Sequence, residues 1–278
     1  MLITASIVLY KTKPEELITV INSFNPTADK KLYLIDNSPE KTVLPDKIIN
    51  NENITYCFLN KNVGYGAGHN VAIRKAIECK SVYHFILNPD IIFESNIIEE
   101  IVRYMDVNPN IGLLMPKVFN TDGSIQYVCK LLPNPFNMFL RGFLSKTKIV
   151  TKMNKRFELR ETNYDRLLLV PYVSGCFMAF RISALEDVGL FDENIFMNME
   201  DTDISRRVAS KYDTVMYPEV SIIHKWNRES HKSKKMFIET IKSAIYYFNK
   251  YGWFFDKERS IINKKAEKYN YRNKEEKL

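Results

Sequence analysis

Five short apolar runs rich in Ile, Val and Leu punctuate residues 2–118, with helical patterns between most of them. This alternation constrains the fold more than any other feature. The runs are Leu2 to Leu9, Lys31 to Ile35, Ile54 to Leu59, Val82 to Leu87 and Gly112 to Val118. Pro14 opens a helical pattern with Leu17, Ile18, Ile21 and Phe24 on one face. A second helix is predicted from about Ala67 to Cys79. A third, capped by Ser95, runs to about Asn108. Strands alternating with helices predict an α/β domain with a mixed, mostly parallel central sheet. Thr12, Asp36, Asn62 and Asp90 collect at the carboxyl ends of the runs, the edge where open α/β sheets bind ligands.

The alternation stops after Pro116. Asn120 to Gly123 reads as a turn. Pro133 to Val150 reads equally as an interfacial amphipathic segment or a buried flap. Lys152 to Arg166 is polar and expected as a mobile loop, and Leu167 to Arg181 as core strand. Two short strands, Asp213 to Tyr217 and Val220 to Ile223, end at His224. Lys235 to Tyr251 is helical, with Ile238, Ile241, Ile245 and Phe248 on one face, and a last helix follows Trp253. The expected division is a domain over 1–234, with halves at about 1–118 and 119–234, and C-terminal helices over 235–278.

Within NIFMNMEDTDISRR, Glu200, Asp201 and Asp203 fall in the first turn of a helix for which Asn198 is the expected N-cap. Asp203 and Arg207 have i,i+4 ion-pair spacing. The segment reads either as a well-capped surface helix or as a carboxylate delivered to a sheet edge as a general base. NVGYGAGHN opens a helix with a Gly-rich turn, but its glycines lack the G-x-G-x-x-G spacing of a dinucleotide site. Asp36 can accept a hydrogen bond from a base or ribose, or close a turn. A carboxylate in Asn88-Pro89-Asp90 with His224 suits Mn²⁺ or a similar cation shared with phosphate oxygens.

No run of the 278 residues approaches the roughly 18 apolar residues of a membrane span. Cys57, Cys79, Cys129 and Cys176 lack paired spacing, so four reduced thiols in a cytoplasmic protein are expected, without zinc. The formal charge is +7, and 225–235 and 257–277 are rich in Lys and Arg. With the aromatic stretch Tyr246 to Phe255, this suits an anionic membrane surface or a phosphorylated partner, or else a solvated helix face. No nucleic-acid partner is expected. The apolar face of the C-terminal helices allows a homodimer.

Taken together, ASIVLYKT, LIDNS, NKNVGYGAGHN, FILNPD, VSGCFMAFRISALEDVGLFDENIF, MEDTDISRR and IIH resemble, over roughly 2–250, a family-2 glycosyltransferase of the GT-A fold. The likeness is strongest to bacterial rhamnosyltransferase-like members. It implies that Tyr10, Asp36, Asn62, Gly64, Asn70 and Asn88 hold a nucleotide-sugar. It implies that Asp90 and His224 hold a divalent cation, Mn²⁺ or Mg²⁺, and that the Glu200–Asp201 pair supplies the base, Asp201 foremost. The family's D-x-D motif is here Asn88-Pro89-Asp90, one charge short. Lys225 and Arg228 can add positive charge near the diphosphate. The implied activity is inverting transfer, with dTDP-L-rhamnose the favoured donor and UDP-hexoses the alternative. The implied acceptor is a lipid-linked oligosaccharide in O-antigen, capsule or similar assembly, met at the inner face of the cell membrane. A non-catalytic membrane- or glycan-binding protein is the alternative from another class.

Overall fold

The computed structural model describes residues 1–136, 138, 147–225 and 234–275. Arg228 and most of both 137–146 and 225–235 fall outside these residues, so the alternatives for the 133–150 segment are largely beyond the description. Among the described residues, nine strands form one sheet. They are β1 (Ile3–Leu9), β2 (Lys30–Asp36), β3 (Ile54–Phe58), β4 (Tyr83–Leu87), β5 (Ile91–Ile92), β6 (Ile111–Phe119), β7 (Leu168–Leu169), β8 (Phe177–Arg181) and β9 (Asp213–His224). The spatial order is β3-β2-β1-β4-β8-β6-β9-β5, with β7 also on β9. β1 to β4 pair in parallel, and β6 pairs in parallel with β9. β8 is antiparallel to both β4 and β6, so it reverses direction between two parallel blocks. The fold is the mixed, mostly parallel α/β sheet expected, with C-terminal helices.

Near-continuous burial along β1, β2 and β4 explains why these runs are mostly apolar and do not alternate with polar residues. The helices covering the sheet are α1 (Pro14–Phe24), α2 (Asp46–Ile49), α3 (Tyr65–Glu78), α4 (Ile97–Val107), α5 (Lys148–Phe157), α6 (Ile182–Val188), α7 (Glu200–Ala209), α8 (Lys234–Tyr251) and α9 (Lys257–Glu275). α1 and α4 bury the predicted stripes, Leu17, Val20, Ile21 and Phe24 in one and Ile97, Ile98, Ile101, Val102 and Met105 in the other.

Four local expectations need correction. Lys152 to Arg166 is not a loop: α5 and a 3₁₀ turn at Arg160–Thr162 occupy most of it, and Val150 and Phe157 anchor α5 by burial. Leu167 to Arg181 is two strands, because Pro171 and the Ser174-Gly175 break separate β7 from β8. The two strands before His224 are one, β9, whose register slips on β6 between Tyr217 and Ser221. Ser95 does not cap α4: Asn96 precedes the helix, without a side-chain cap, and its amide bonds the Glu100 carboxylate instead.

A buried polar chain ties β1 to β4 and α3. Thr4 Oγ1 meets His84 Nδ1 at 2.8 Å, His84 Nε2 meets Ser6 Oγ at 2.8 Å, and Ser6 Oγ meets His69 Nδ1 at 2.7 Å. Burial holds His84 down to about 3 and His69 well below the usual imidazole range. Both rings are therefore neutral when folded, whereas the unfolded chain protonates them below about pH 6.5. The unfolded state then binds more protons, and stability falls as pH drops from there towards the folded values, by about 1.4 kcal/mol per pH unit for each ring.

α7 anchors the C-terminal helices. Arg206, 2% exposed, bonds Asp256 through both terminal nitrogens at 2.6 and 2.7 Å and Glu258 at 2.8 Å, and its guanidinium lies 3.8 Å from the Tyr251 ring centroid. Asp203, fully buried, accepts from Arg207, Lys250 and Tyr251.

Urea titrations at several pH values should show wild-type stability falling between about pH 6.5 and 5, and His84→Asn removing roughly one proton from that slope. Equal slopes would contradict a neutral buried His84. Arg206→Ala should cost about 3 kcal/mol in the same assay, because it leaves Asp256 charged in the interior with only Arg259 beside it; adding Asp256→Asn should restore part of the loss.

Candidate active site

β1, β2, β4, β6 and β9 run in one direction, so their carboxyl ends share an edge. β8 runs the other way and starts at that edge, which delivers Ser174, Gly175 and Cys176 beside Asn88. A cleft of about 1110 Å³ opens there. Its lining includes Asn120, Gln126, Lys130, Tyr172, Asp201 and His224.

Asp90 and His224 come together because β5, which follows Asp90, pairs antiparallel with the end of β9, with Ile91 opposite His224. The Lys225 amide donates to the Asp90 carbonyl at 3.0 Å. His224 Nε2 lies 3.3 Å from an Asp90 carboxylate oxygen and 3.5 Å from the Asn88 amide, and Nδ1 lies 2.8 Å from Gln126 Oε1. Burial opposes a charge on this ring, but the Cys176 sulfur and the Asp90 carboxylate beside it outweigh burial and raise its pKa. Among the described residues, no group of three or more His, Cys, Asp or Glu side chains stands ready for a metal. A carboxylate oxygen beside an imidazole nitrogen fits a cation whose other ligands are substrate phosphates and water, the manner in which Mg²⁺ and Mn²⁺ are held at nucleotide sites.

The Glu200–Asp201 pair sits across the cleft. Asn198 is not the N-cap of α7. It has a left-handed φ of 65°, and its amide is committed to Thr240 Oγ1 at 2.8 Å. Met199 occupies the cap position, and its N–H donates to Glu200 Oε2 at 2.9 Å. Nor is α7 a surface helix: Glu200, Thr202, Asp203, Ile204, Ser205, Arg206 and Val208 are buried. One Asp201 oxygen accepts from Gly175 N at 3.2 Å and Tyr172 OH at 3.3 Å, and the other from Thr202 N at 2.8 Å. Burial raises the Asp201 pKa, while Lys130 and these donors hold it down. Glu200 is pushed up to about 8, first by burial and then by the neighbouring Asp201 charge. Of the pair, Glu200 is the one that keeps its proton, and Asp201 is the one that faces the cleft.

The two halves are joined through Tyr65. Its hydroxyl lies 2.9 Å from Asn88 Oδ1 and 2.7 Å from the Gly175 carbonyl, and Gly175 in turn donates to Asp201. A Cβ on Gly175 would stand 3.1 Å from the Tyr65 ring. Tyr65, Lys130, Tyr172 and Gln126 were not singled out in the sequence.

The remaining predicted ligands lie apart from this cleft. Tyr10 is half exposed beyond β1. Asp36 is fully buried and accepts from Ser38 N, Thr42 N and Tyr56 OH, which closes the turn after β2. Asn62 Oδ1 accepts from Gly64 N. Asn70 is buried and clamps the Phe191 backbone at both its N–H and its carbonyl, and also bonds Glu193. The glycines of the turn make room for protein: a Cβ at Gly66 would meet Phe191, and one at Gly68 would meet Val8. Gly64, at φ +94°, is pinned by Phe196, whose carbonyl oxygen would lie 2.5 Å from an added Cβ and accepts the Tyr65 N–H.

Gly64→Ala should therefore both strain the turn and push the 196–199 segment away from α3. The expected loss is about 2 kcal/mol or more in denaturant titration, with a larger proportional loss of whatever the Asp201 cleft does.

No protein-family model matches the chain. In sequence it is similar to the N-acetylglucosaminyl-diphospho-decaprenol L-rhamnosyltransferase of two Mycobacterium tuberculosis strains, 26% identical over 177 residues. That match covers 59% of this chain, which spans just over half, 56%, of the relative's length. In structure it resembles GalNAc-T7 with UDP, GalNAc and Mn²⁺, at TM-score 0.64 and 15% identity over 89% of this chain and 48% of that one. It also resembles S. aureus TarS in complex with UDP, at TM-score 0.56 and 15% identity over 98% of this chain and 72% of that one. The chain thus has the GT-A fold of nucleotide-sugar glycosyltransferases, and its sequence resembles that of a rhamnosyltransferase.

Proposed function

We propose that the protein is an inverting glycosyltransferase that moves a sugar from a nucleotide-sugar to a lipid-linked glycan. The observation that carries this reading is the placement of Asp201, a cleft-facing carboxylate, on the same sheet edge as the Asp90–His224 pair, with Tyr65 and Gly175 between them. The favoured donor is dTDP-L-rhamnose, following the mycobacterial relative; UDP-hexoses are the alternative, following the UDP-bound structural neighbours. Tyr10, Asp36, Asn62, Gly64, Asn70 and Asn88 frame the donor end. The reaction takes place at the inner face of the cell membrane, where a lipid-linked acceptor is presented.

Asp201 takes the proton from an acceptor hydroxyl as that oxygen forms a bond to the anomeric carbon. The bond from that carbon to the nucleoside diphosphate breaks, and its electron pair leaves with the diphosphate. The Gly175 and Thr202 N–H groups and Lys130 keep Asp201 ionised and aimed despite its burial. Glu200 holds its proton and so spares the site a second charge. Asp90 and His224 would hold a divalent cation together with the donor's diphosphate oxygens, which supplies charge neutralisation on the leaving group.

The test is a donor screen over dTDP-rhamnose, UDP-glucose, UDP-galactose, UDP-GlcNAc and GDP-mannose, with Mn²⁺ and with EDTA. One donor should bind selectively and with metal. Asp201→Asn should keep that binding and lose turnover by about 10²–10⁴-fold. The acid limb of kcat/KM should lie above the usual Asp range near 3.9, because burial raises Asp201. Glu200→Gln should leave that limb in place and remove any change near the Glu200 value of about 8. If Asp201→Asn turns over normally, or no nucleotide-sugar binds, the reading fails and a non-catalytic glycan-binding role replaces it.

A further inference from the structure

α8 buries one face and leaves the adjoining one bare. Tyr247 and Phe248 pack with Ile195 and Met199. Phe237, Ile238, Ile241 and Ile245 stand 61, 51, 43 and 44% exposed. At helical spacing these four fall in a single stripe about 100° wide. Past the C-terminal end of α8, Trp253 packs its ring 5.4 Å from that of Phe248, donates its N–H to Asn249 and stays 38% exposed. Phe254 and Phe255 beside it are 74 and 99% exposed. Scattered exposed apolar residues are ordinary, but a continuous strip of this kind marks a contact surface.

We propose that this strip docks the protein on an anionic lipid bilayer, with α8 lying in the interface plane and Trp253 to Phe255 at headgroup depth. The inference rests on the proposed function, and it names the surface that brings the cleft to a lipid-linked acceptor. Charge selects the occupant. Lys234 and Lys242, the latter paired with Glu239, lie along α8, and α9, which starts directly after the aromatic tip, opens with the exposed Lys257. Glu258 beside it is engaged by Arg206. A second copy packed on this strip would set like charges against like, whereas an anionic headgroup layer complements them, and aromatic rings with Lys at their margin suit the bilayer interface. Among the described residues, no helix is long and apolar enough to cross a membrane, so α8 lies on the bilayer and does not span it. The strip also has a route to the chemistry: Thr240, within it in sequence, receives the hydrogen bond of Asn198, which lines the same cleft as Asp201.

The experiment is co-sedimentation of the full chain with vesicles of equimolar phosphatidylglycerol and phosphatidylcholine, and with phosphatidylcholine alone. The wild type should partition onto the anionic vesicles and come off with added salt. Ile241→Asp and Phe255→Ser should each lower the partition coefficient roughly tenfold, with circular dichroism and nucleotide-sugar binding unchanged. Absence of binding to anionic vesicles, or variants that bind like the wild type, would overturn the proposal. So would a wild-type dimer in light scattering that Ile241→Asp converts to monomer without any change on vesicles, since the strip would then face a second copy. Failure of the wild type to bind any nucleotide-sugar would remove the glycosyltransferase reading, and the vesicle result would still decide the docking surface on its own.

Discussion

The charges buried in α7 hold the rest of the molecule in place. Helical spacing sets Asp203, Arg206 and Arg207 on neighbouring faces of ten residues that begin with the cleft carboxylates. Arg206 reaches Asp256 and Glu258 and so fixes where α9 begins. Asp203 reaches Lys250 and Tyr251 and so fixes where α8 ends. Arg207 donates to the Val188, Gly189 and Leu190 carbonyls, closing the turn that Asn70 clamps from the other side. Replacing a buried ionic group with apolar side chains often costs nothing in stability. What the charges contribute here is uniqueness: each has its partners only if the C-terminal helices and the 188–193 turn sit where they do.

Strand direction does comparable work for the cleft. Parallel strands alone would bring only their own carboxyl ends to this edge. The reversed β8 inserts its amino end between β4 and β6, and its first residues carry the Gly175 N–H that meets Asp201. Short β5 then folds back on β9 and sets Asp90 against His224. The reversed β8 and β5 thus bring a carboxylate and a carboxylate–imidazole pair to one opening.

The parallel core is legible in the sequence because strands buried on both faces, such as β1 and β4, are mostly apolar, with Thr4, Ser6 and His84 buried only by bonding one another, and α1 and α4 show their stripes plainly. The site was legible where it follows from strand ends: Asn88, Asp90 and His224 meet as their positions imply. Legibility failed where a local signal has a distant competitor. Asn198 has the chemistry of an N-cap, but Thr240, over forty residues later, takes its amide. Asp36 at a strand end looks like a ligand contact, and Ser38, Thr42 and Tyr56 occupy its oxygens. The glycines of the helix-opening turn look like a phosphate cradle, and Phe191, Phe196 and Val8 fill the space they leave. α5 was missed because its apolar residues are few, although Val150 and Phe157 lie two turns apart and both are buried. In α8 the period was read correctly, but periodicity cannot say which apolar positions face protein. Phe248 does, and Ile238, Ile241 and Ile245 do not.

That last discrepancy connects to the strained residue beside the base. Asn198 takes a left-handed conformation that costs of order 1 kcal/mol outside glycine, and Asn is among the few residues that tolerate it. The conformation turns the chain so that Met199 can cap α7 with the Glu200 carboxylate folded back onto its N–H. The Asn198 amide is held by a side chain on α8, the helix whose neighbouring residues are bare. The geometry at the start of α7 therefore depends on where α8 sits, and α8 leaves Phe237, Ile238, Ile241 and Ile245 exposed. A surface that rested against α8 would tighten the Thr240 contact and, through Asn198 and Met199, the turn that aims Asp201. In this architecture the apolar strip and the cleft meet through α8, by the Asn198–Thr240 hydrogen bond, by Lys250 and Tyr251 on Asp203, and by Tyr247 and Phe248 packed on Ile195 and Met199.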